Sequence, residues 1–218
     1  MFAKNLLSRN LPVLHPDDSA RTVVRKFAVS GQRWLPIVLH DHFQGLVSRK
    51  KLRTNHISSL KDLDARDILH IFASPNTHIF DLTQIMGNSG TDCLPVVSPE
   101  NIYLGLVIAK SIIQFQAENA MSYEGGIIVL EMEQHDFSLH EVARLTESGN
   151  AKILSLLVTN VPDSRKIWVS IKLSAADISR VIAILERFGY YICFTSVNQK
   201  QLLDTQELYD SFMRYLNV

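Results

Sequence analysis

The sequence predicts an α+β protein: two β-α-β-β-α units packed sheet to sheet, followed by a β-α-β-β-α-β unit. First, LPIVLHDHFQGLVSRKKL at 35–52 returns as LPVVSPENIYLGLVIAKSI at 94–112. Second, a helical apolar pattern precedes each copy, and third, a new alternation of strands and helices starts near residue 125. The predicted segments are 1–57 and 58–118 for the two copies, 119–124 for a linker, 125–198 for the last unit and 199–218 for an amphipathic helix.

Composition excludes several classes of protein. Apolar residues make up 46% of the 218 residues, enough for a buried core. Lys+Arg and Asp+Glu balance at 22 each, which argues against a nucleic-acid binder that works by bulk charge. No apolar run is long enough for a membrane span, and the first residues do not resemble a signal peptide. We expect a cytoplasmic protein with Cys93 and Cys193 as reduced core thiols.

The first copy is expected to have a short strand and then a helix. Ala20, Val23, Val24 and Phe27 fall at i, i+3, i+4 and i+7, which predicts one buried face. Asp18 or Ser19 is expected to cap this helix. Two strands joined by the polar turn HDHF follow, and a second helix is expected to begin after Ser48.

The second copy repeats this order with Ile79, Leu82 and Met86 on its helix face and SPENIY as its turn. A unit of about 60 residues is marginal alone, so the two copies are expected to pack together. This arrangement predicts two equivalent clefts where strand ends meet helix starts, a setting that suits anions.

The last unit begins with a strand at Gly126–Met132, and Ser138–Glu141 is a capping box. The helix that it opens is expected to bury Leu139, Val142 and Ala143 and to end near Gly149. Two further strands follow, and Ser174–Asp177 is expected to cap the next helix before the strand YYICFTSV. The predicted buried positions of the second of these strands and of that helix are Ile167, Val169, Ile171, Leu173, Ile178, Val181, Ile182 and Leu185. The order is the split β-α-β arrangement. In the final helix, Leu208, Phe212, Tyr215 and Leu216 form a stripe.

The duplicated LPIV…GLVS and LPVV…GLVI stretches resemble a tandem pair of CBS domains, over about Leu11 to Gln116. The resemblance implies a regulatory module that binds an adenosine-type ligand such as AMP, ATP or S-adenosylmethionine. It also implies a hydroxyl after the Gly-hydrophobic-hydrophobic motif, for phosphate, and an Asp three residues later, for ribose.

The two copies depart from that pattern. The first has Ser48 and Lys51 and the second has Ile108 and Ser111, so neither keeps the carboxylate. Lys has no acceptor and cannot replace Asp at ribose, but together with neighbouring Arg49 and Lys50 it can bind phosphate. We expect any nucleotide at the Ser48/Lys51 cleft, beside Trp34, Leu35 and Pro36. The alternative is that both clefts have lost their ligand.

The last unit resembles ACT domains over Gly125 to Val197, and the whole architecture is similar to CBS–ACT proteins of the acetoin-utilisation type. The ACT resemblance implies a homodimer and an amino-acid site between the first strand and helix, where this chain has His135 and Asp136. A solvated loop is the simpler interpretation of those two residues. Acetoin is not inferred as a substrate.

The sequence contains no catalytic motif that indicates an enzyme. His40 and His42 flank Asp41 in a turn, and KDLDARD is interpreted as a solvated, helix-starting segment. No metal site or required cofactor is expected. The leading hypothesis is a non-catalytic regulator that senses a nucleotide and acts on an unknown protein partner. The second is a scaffold with degenerate clefts, and the third is an enzyme of acetoin or acetate metabolism.

Overall fold

The computed structural model describes residues 1–54, 59–119 and 124–196. The chain divides into two compact units, Met1–Phe115 and Gln116–Val218. The predicted C-terminal helix and most of the predicted linker lie outside the described residues, so both remain predictions.

The first unit contains the duplicated β-α-β-β-α pattern. Its helices and strands are α1 Ala20–Ser30, β1 Trp34–Leu39, β2 His42–Ser48, α2 Arg49–Thr54, β3 Ile68–Leu69, α3 Ile79–Ser89, β4 Cys93–Val97, β5 Tyr103–Ile108 and α4 Ala109–Glu118. Short 3₁₀ turns occupy Ala3–Asn5, Leu60–Asp62 and Ala65–Asp67. The first strand predicted for each copy is reduced to a single bridge, made by Leu14 in one copy and by Ala73 in the other.

Helix α1 begins as predicted, because the Ser19 hydroxyl accepts a hydrogen bond from the Thr22 amide. Val23 and Phe27 are buried, but Val24 is 58% exposed, so its predicted burial is wrong. A short helix that covers a single sheet buries a narrow stripe, and Val24 lies at the edge of that stripe. On helix α3 the predicted face of Ile79, Leu82 and Met86 is buried and therefore confirmed.

Each copy carries an antiparallel hairpin, β1–β2 or β4–β5. His40 and Asp41 both adopt positive φ in the first turn, and Asn101 does so in the second. Gly45 and Gly105 occupy the same place in their hairpins and share nearly the same backbone, with φ of 146° and 145°.

The segment that precedes each copy pairs with the hairpin of the other copy. Strand β3, which leads into the second copy, pairs antiparallel with β2 of the first. Near the N-terminus, Ser8 forms the corresponding bridge to Leu106 on β5. Neither hairpin therefore completes its sheet from its own repeat alone.

Three apolar clusters hold the first unit together. One lies inside each copy, and the third joins the two hairpins through Phe43, Leu46, Cys93, Val97 and Leu106. The turns also meet, because the Tyr103 amide donates to the Asp41 carbonyl oxygen at 2.8 Å. The two sheets therefore pack against each other, as the duplication predicted.

The second unit has the predicted element order. Its helices and strands are β6 Ile127–Glu133, α5 Leu139–Ser148, β7 Ile153–Asn160, β8 Lys166–Leu173, α6 Ser179–Arg187 and β9 Tyr191–Thr195. The sheet is antiparallel with the order β7-β8-β6-β9. One face of the sheet forms a core with the two helices, and the alternating residues of β8 from Ile167 to Leu173 are buried in it as predicted.

Several predicted details of the second unit are corrected by the structure. Ser138 caps α5 as expected, but Leu139 is 54% exposed because it lies in the first turn, and Ala143 is only partly buried. At α6 the Asp177 carboxylate accepts the Ser179 amide. Ser174 instead accepts the Lys152 amide, so it joins two loops and does not cap the helix.

The two thiols differ, which corrects the prediction that both lie in the core. Cys93 is fully buried between the hairpins, whereas Cys193 is exposed on β9. Cys193 lies in an apolar stretch of sequence because the second face of the sheet, which the helices of this unit do not cover, also carries apolar side chains. Exposed apolar side chains on that face are Ile127, Leu157, Trp168, Tyr191 and Phe194.

Among the described helices, none has both the length and the apolar character that a membrane crossing requires.

Candidate functional site

Ser48 ends strand β2 and stands opposite Trp34 on β1. Its side chain is almost buried, at 7% exposure, and its hydroxyl oxygen accepts the Lys51 amide at 3.3 Å. This bond caps α2, because a Ser before a helix satisfies one of the free first-turn N–H groups. The same junction is held from β1, since the Arg49 amide donates to the Arg33 carbonyl oxygen at 2.8 Å.

Lys51 points its ammonium group at a carboxylate from another element. Lys51 Nζ lies 2.6 Å from Asp67 Oδ1, with the lysine side chain 51% exposed and the aspartate side chain 13% exposed. Asp67 immediately precedes β3, whose first residue Ile68 pairs with Val47. The pairing brings Asp67 beside the end of β2, where Ser48 lies. We name Ser48, Lys51 and Asp67 the Ser48 site.

Asp67 is a functional candidate that the sequence did not predict, because KDLDARD was interpreted as solvated. That interpretation holds for Asp62 and Asp64, which are exposed and accept the Ser59 and Arg66 amides. Asp67 differs because it directly precedes β3, and the pairing of β3 with β2 places it beside the first copy. Ile68 and Leu69 directly after the acidic run were the available signal for a short strand.

The remaining residues expected at this cleft are brought together on β1 and at the start of α2. Leu35 is fully buried in the core of the first copy, so only its backbone can face a ligand. Pro36 is buried beside it, and its carbonyl oxygen accepts the Leu14 amide. Trp34 is partly buried against the cluster between the hairpins, and Arg49 is exposed.

The corresponding place in the second copy is formed by Ile108 and Ser111, which we name the Ile108 site. Ile108 ends β5 and packs against the cluster between the hairpins, and Ser111 lies partly exposed in the first turn of α4. The place of Asp67 is taken in the second copy by the buried Leu6, because Ser8 pairs with Leu106 as Leu69 pairs with Leu46. The two sites therefore differ in charge as well as in hydrogen-bonding groups.

A further bond joins the two copies close to the Ser48 site. The Asp92 carboxylate accepts both the Arg33 amide at 2.8 Å and the Arg33 Nε at 3.2 Å. Arg33 and Asp92 occupy equivalent positions before β1 and β4. This contact fixes the start of β1, and through the Arg33 carbonyl oxygen it also fixes the first residue of α2.

His135 and Asp136 lie in a 3₁₀ turn between β6 and α5, and both are exposed. Their side chains approach to 3.2 Å between His135 Nε2 and Asp136 Oδ1. His135 lines a cavity of about 1030 Å³ with the β7–β8 loop, including Asp163 and Arg165. Asp136 lines a different cavity of about 440 Å³ with Tyr190. The two predicted ligand residues therefore line separate hollows.

The smaller cavity is acidic. Glu131 and Glu141 both line it. The Lys166 ammonium and the Trp168 N–H lower the pKa of Glu131 by hydrogen bonding, and the Arg144 guanidinium lowers that of Glu141. Burial raises the pKa of Tyr190, and the Glu141 charge adds to this effect. These carboxylates keep their charge at neutral pH, and both are already paired with cations.

His40, Asp41 and His42 are exposed in the first hairpin turn. Across residues 1–54, 59–119 and 124–196, no group of three or more His, Cys, Asp or Glu side chains is arranged to hold a metal ion.

Comparison with known proteins agrees with the duplication. The family model described as the CBS domain matches residues 3–56 and 60–118. The chain is 26% identical over 166 residues to an inosine-5′-monophosphate dehydrogenase of Thermoplasma acidophilum. That match covers 75% of this chain but 33% of the dehydrogenase, so the chain spans about a third of that relative.

Two solved structures are among those similar to this chain. One is a CBS domain pair/ACT domain protein from Thermotoga maritima, with 16% identity and a TM-score of 0.48, covering 54% of this chain and 98% of that one. The other is CBSX2 in complex with AMP, also with 16% identity and a TM-score of 0.48, covering 54% and 96%. CBS domains are regulatory modules. The two family matches fall on the two structural copies and together cover just over half of the residues, so the chain belongs to the CBS domain family.

Proposed function

We propose that this protein is a non-catalytic regulator that binds one adenosine-type nucleotide, AMP or ATP, at the Ser48 site. The observation that carries the proposal is that one hairpin end holds both a nearly buried hydroxyl, on Ser48, and a half-exposed ammonium group, on Lys51 three residues later. Both groups donate hydrogen bonds, and a phosphate offers only acceptors at neutral pH. S-adenosylmethionine lacks a phosphate and is expected to bind more weakly.

The Ile108 site is not expected to bind the same ligand. An isoleucine side chain cannot donate to phosphate, so its hydroxyl contact is missing. One nucleotide per chain is therefore the expected stoichiometry. A ligand that favours one arrangement of the two hairpins would shift their equilibrium, and the shift would be transmitted to a protein partner.

We further propose that the second unit is an ACT-like domain that forms a homodimer through strand β7. Within the described sheet, β7 is an edge strand, and its sequence ILSLLVTN carries no charge and no proline. Leu157 and Val158 are exposed on it. An edge of this kind is open to pairing with another strand, and the same strand of a second copy can pair with it antiparallel. A small ligand near His135 or Asp136 is the alternative role for this unit, and a link to acetoin utilisation stays a prediction.

Isothermal titration calorimetry with AMP, ATP and S-adenosylmethionine tests the nucleotide proposal. We expect Lys51→Ala to weaken AMP binding at least about tenfold, because a charge-assisted hydrogen bond is lost. Ser48→Ala should weaken it by a smaller factor. Lys110→Ala, at the exposed start of α4 in the second copy, is the matched control and should bind like wild type.

Thermal unfolding supplies an independent measurement. AMP at about 100 times its dissociation constant should add roughly 2.7 kcal/mol to the stability of the unit that binds it. If none of the three compounds produces heat or stabilisation, the sensor proposal is wrong. The protein would then be the scaffold with degenerate clefts, an alternative that the apolar Ile108 site favours.

A further inference from the structure

The sheet of the second unit has one face that helices α5 and α6 leave uncovered, which we name the outer face. The strand pairing places one row of side chains across this face, from β7 to β9: Leu157, Ser170, Val129 and Phe194. The row is apolar apart from Ser170, and both of its ends, Leu157 and Phe194, are exposed. An exposed apolar patch of this kind marks a surface that another segment or molecule covers.

The charged groups beside this row are already paired within the sheet. Glu131 lies next to Trp168 in the adjacent row, and its carboxylate accepts Lys166 Nζ at 2.9 Å and the Trp168 indole N–H at 3.1 Å. On the other side of the row, the Lys172 ammonium group donates to the Gly125 carbonyl oxygen at 2.7 Å. An occupant of the outer face therefore gains mainly from burying apolar side chains.

The chain leaves the sheet at a corner of the outer face. The Ser196 hydroxyl oxygen accepts the Ile127 amide at 3.0 Å, so the end of β9 is held beside the start of β6. Residues 199–218 follow and lie outside the described residues. We name them the C-terminal segment. Their sequence predicts an amphipathic helix with an apolar stripe of Leu208, Phe212, Tyr215 and Leu216.

We infer that the C-terminal segment docks on the outer face as a helix, with its apolar stripe against the row from Leu157 to Phe194. The dimensions agree, because the row crosses the spacings between four neighbouring strands, about 14 Å in all, and a helical stripe from 208 to 216 is about 12 Å long. Residues 197–204 can extend over about 26 Å, which is enough to reach any point of the row.

The C-terminal segment is favoured over a second copy of the chain because it is tethered to the sheet. A short flexible connection gives it an effective concentration on the order of 1 mM. A second copy in a micromolar solution would need a much higher affinity to take its place. Docking buries side chains of β7 and does not use the backbone edge of β7, on which the proposed homodimer depends.

Thiol labelling of the full chain tests the inference, because the two cysteines lie in contrasting places. Cys193 is exposed on β9 directly before Phe194, whereas Cys93 is fully buried in the first unit. Iodoacetamide labelling, followed by peptide mass spectrometry, gives a separate rate for each thiol. We expect Cys193 to react at least about tenfold faster in Phe212→Asp than in wild type, because a charge on the stripe opposes docking. Cys93 should stay unreactive in both.

Two matched variants separate the stripe from the rest of the C-terminal segment. Gln206→Asp adds the same charge about 200° around the predicted helix from Leu208, so Cys193 should react as in wild type. Phe212→Leu keeps the stripe apolar and should preserve the protection of Cys193. Hydrogen exchange of the β8 amides shows whether the sheet itself stays closed in each variant.

A second measurement needs no change in the C-terminal segment. Trp34→Phe leaves Trp168 as the one tryptophan of the chain, and its position on the outer face makes it a probe of covering. Acrylamide should quench Trp168 much less than it quenches N-acetyltryptophanamide. This measurement decides if the β8 amides lose their protection in Phe212→Asp.

Equal labelling rates of Cys193 in wild type and Phe212→Asp overturn the inference, and so does quenching of Trp168 as strong as that of the free indole compound. Protection of Cys193 that fades when wild type is diluted also overturns it, because the occupant is then a second copy. The inference stands if protection is independent of protein concentration and is lost in Phe212→Asp but not in Gln206→Asp.

Discussion

At the scale of single residues, two glycines show how closely the two copies correspond. Gly45 and Gly105 adopt φ of 146° and 145°, a conformation that L side chains rarely adopt. A Cβ at Gly45 would lie 2.2 Å from the Ile68 side chain, and one at Gly105 would lie 3.2 Å from Leu7. Each glycine therefore lets the segment from the other copy pack directly on its hairpin.

We expect Gly45→Ala to lower the free energy of unfolding by about 3 kcal/mol, because backbone strain and a steric clash add up. Gly105→Ala should lower the free energy of unfolding by less, about 1–2 kcal/mol, since the Leu7 side chain needs to move only slightly. Urea denaturation measures both. Gly87→Ala is the control: nothing lies within 4 Å of its Cβ position, and alanine is the better helix former. Equal costs at Gly45 and Gly105 would contradict this account.

The residues of the candidate site were predictable only where the motif itself carries them. Ser48 and Lys51 follow the Gly-Leu-Val stretch, so the duplication was enough to locate them. Asp67 lies 16 residues after Lys51, and its position beside the end of β2 depends on a two-residue strand that pairs with the other copy. The pairing of this strand cannot be predicted from hydrophobic periodicity or residue spacing, because a strand of two residues has no detectable period.

At the scale of secondary-structure elements, β6 and β8 are joined by a polar network on the face that the helices leave uncovered. The Glu131 carboxylate accepts Lys166 Nζ at 2.9 Å and the Trp168 indole N–H at 3.1 Å. These bonds lower the pKa of Glu131, first through Lys166 and then through Trp168. The ionised carboxylate is thus more stable in the folded sheet than in the unfolded chain.

A carboxylate whose pKa is lowered by folding stabilises the protein above its unfolded pKa, and the gain disappears as the pH falls through its folded value. We therefore expect Glu131→Gln to lower the melting temperature at pH 7 but to have little effect well below pH 4. Thermal unfolding at several pH values measures this. Glu147→Gln, an exposed carboxylate on α5, is the control. A constant difference between Glu131→Gln and wild type at every pH would show that ionisation of Glu131 is not the cause.

The elements themselves were predicted well, and the errors lie at their edges. The buried alternation of β8 and the inner face of α3 follow directly from sequence periods. Val24 and Leu139 were assigned to buried faces because periodicity does not indicate how wide a buried stripe is. Cys193 was misplaced because apolar strand residues on the uncovered face look like core residues in the sequence.

At the scale of the whole molecule, the proposed dimer through β7 makes a direct prediction. Leu157→Lys places a charge on the exposed edge strand, which disfavours pairing with a second copy. We expect wild type to sediment as a dimer. The dimer dissociation constant of this variant should be at least about tenfold higher, which corresponds to a loss of about 1.4 kcal/mol in the free energy of dimerisation. Val29→Lys, a similar change at a 77% exposed position of α1, should stay dimeric. A monomeric wild type would exclude the interface.

The exchange of segments between the two copies also bears on how such a molecule arose. Strand β3 and the N-terminal segment around Ser8 each complete the partner hairpin and leave their own incomplete. A lone ancestral repeat would therefore have exposed an unfilled sheet edge and found its complement in an identical molecule. Joining two such partners in one chain would leave each half free to change its own polar residues, as the difference between Ser48 and Ile108 illustrates.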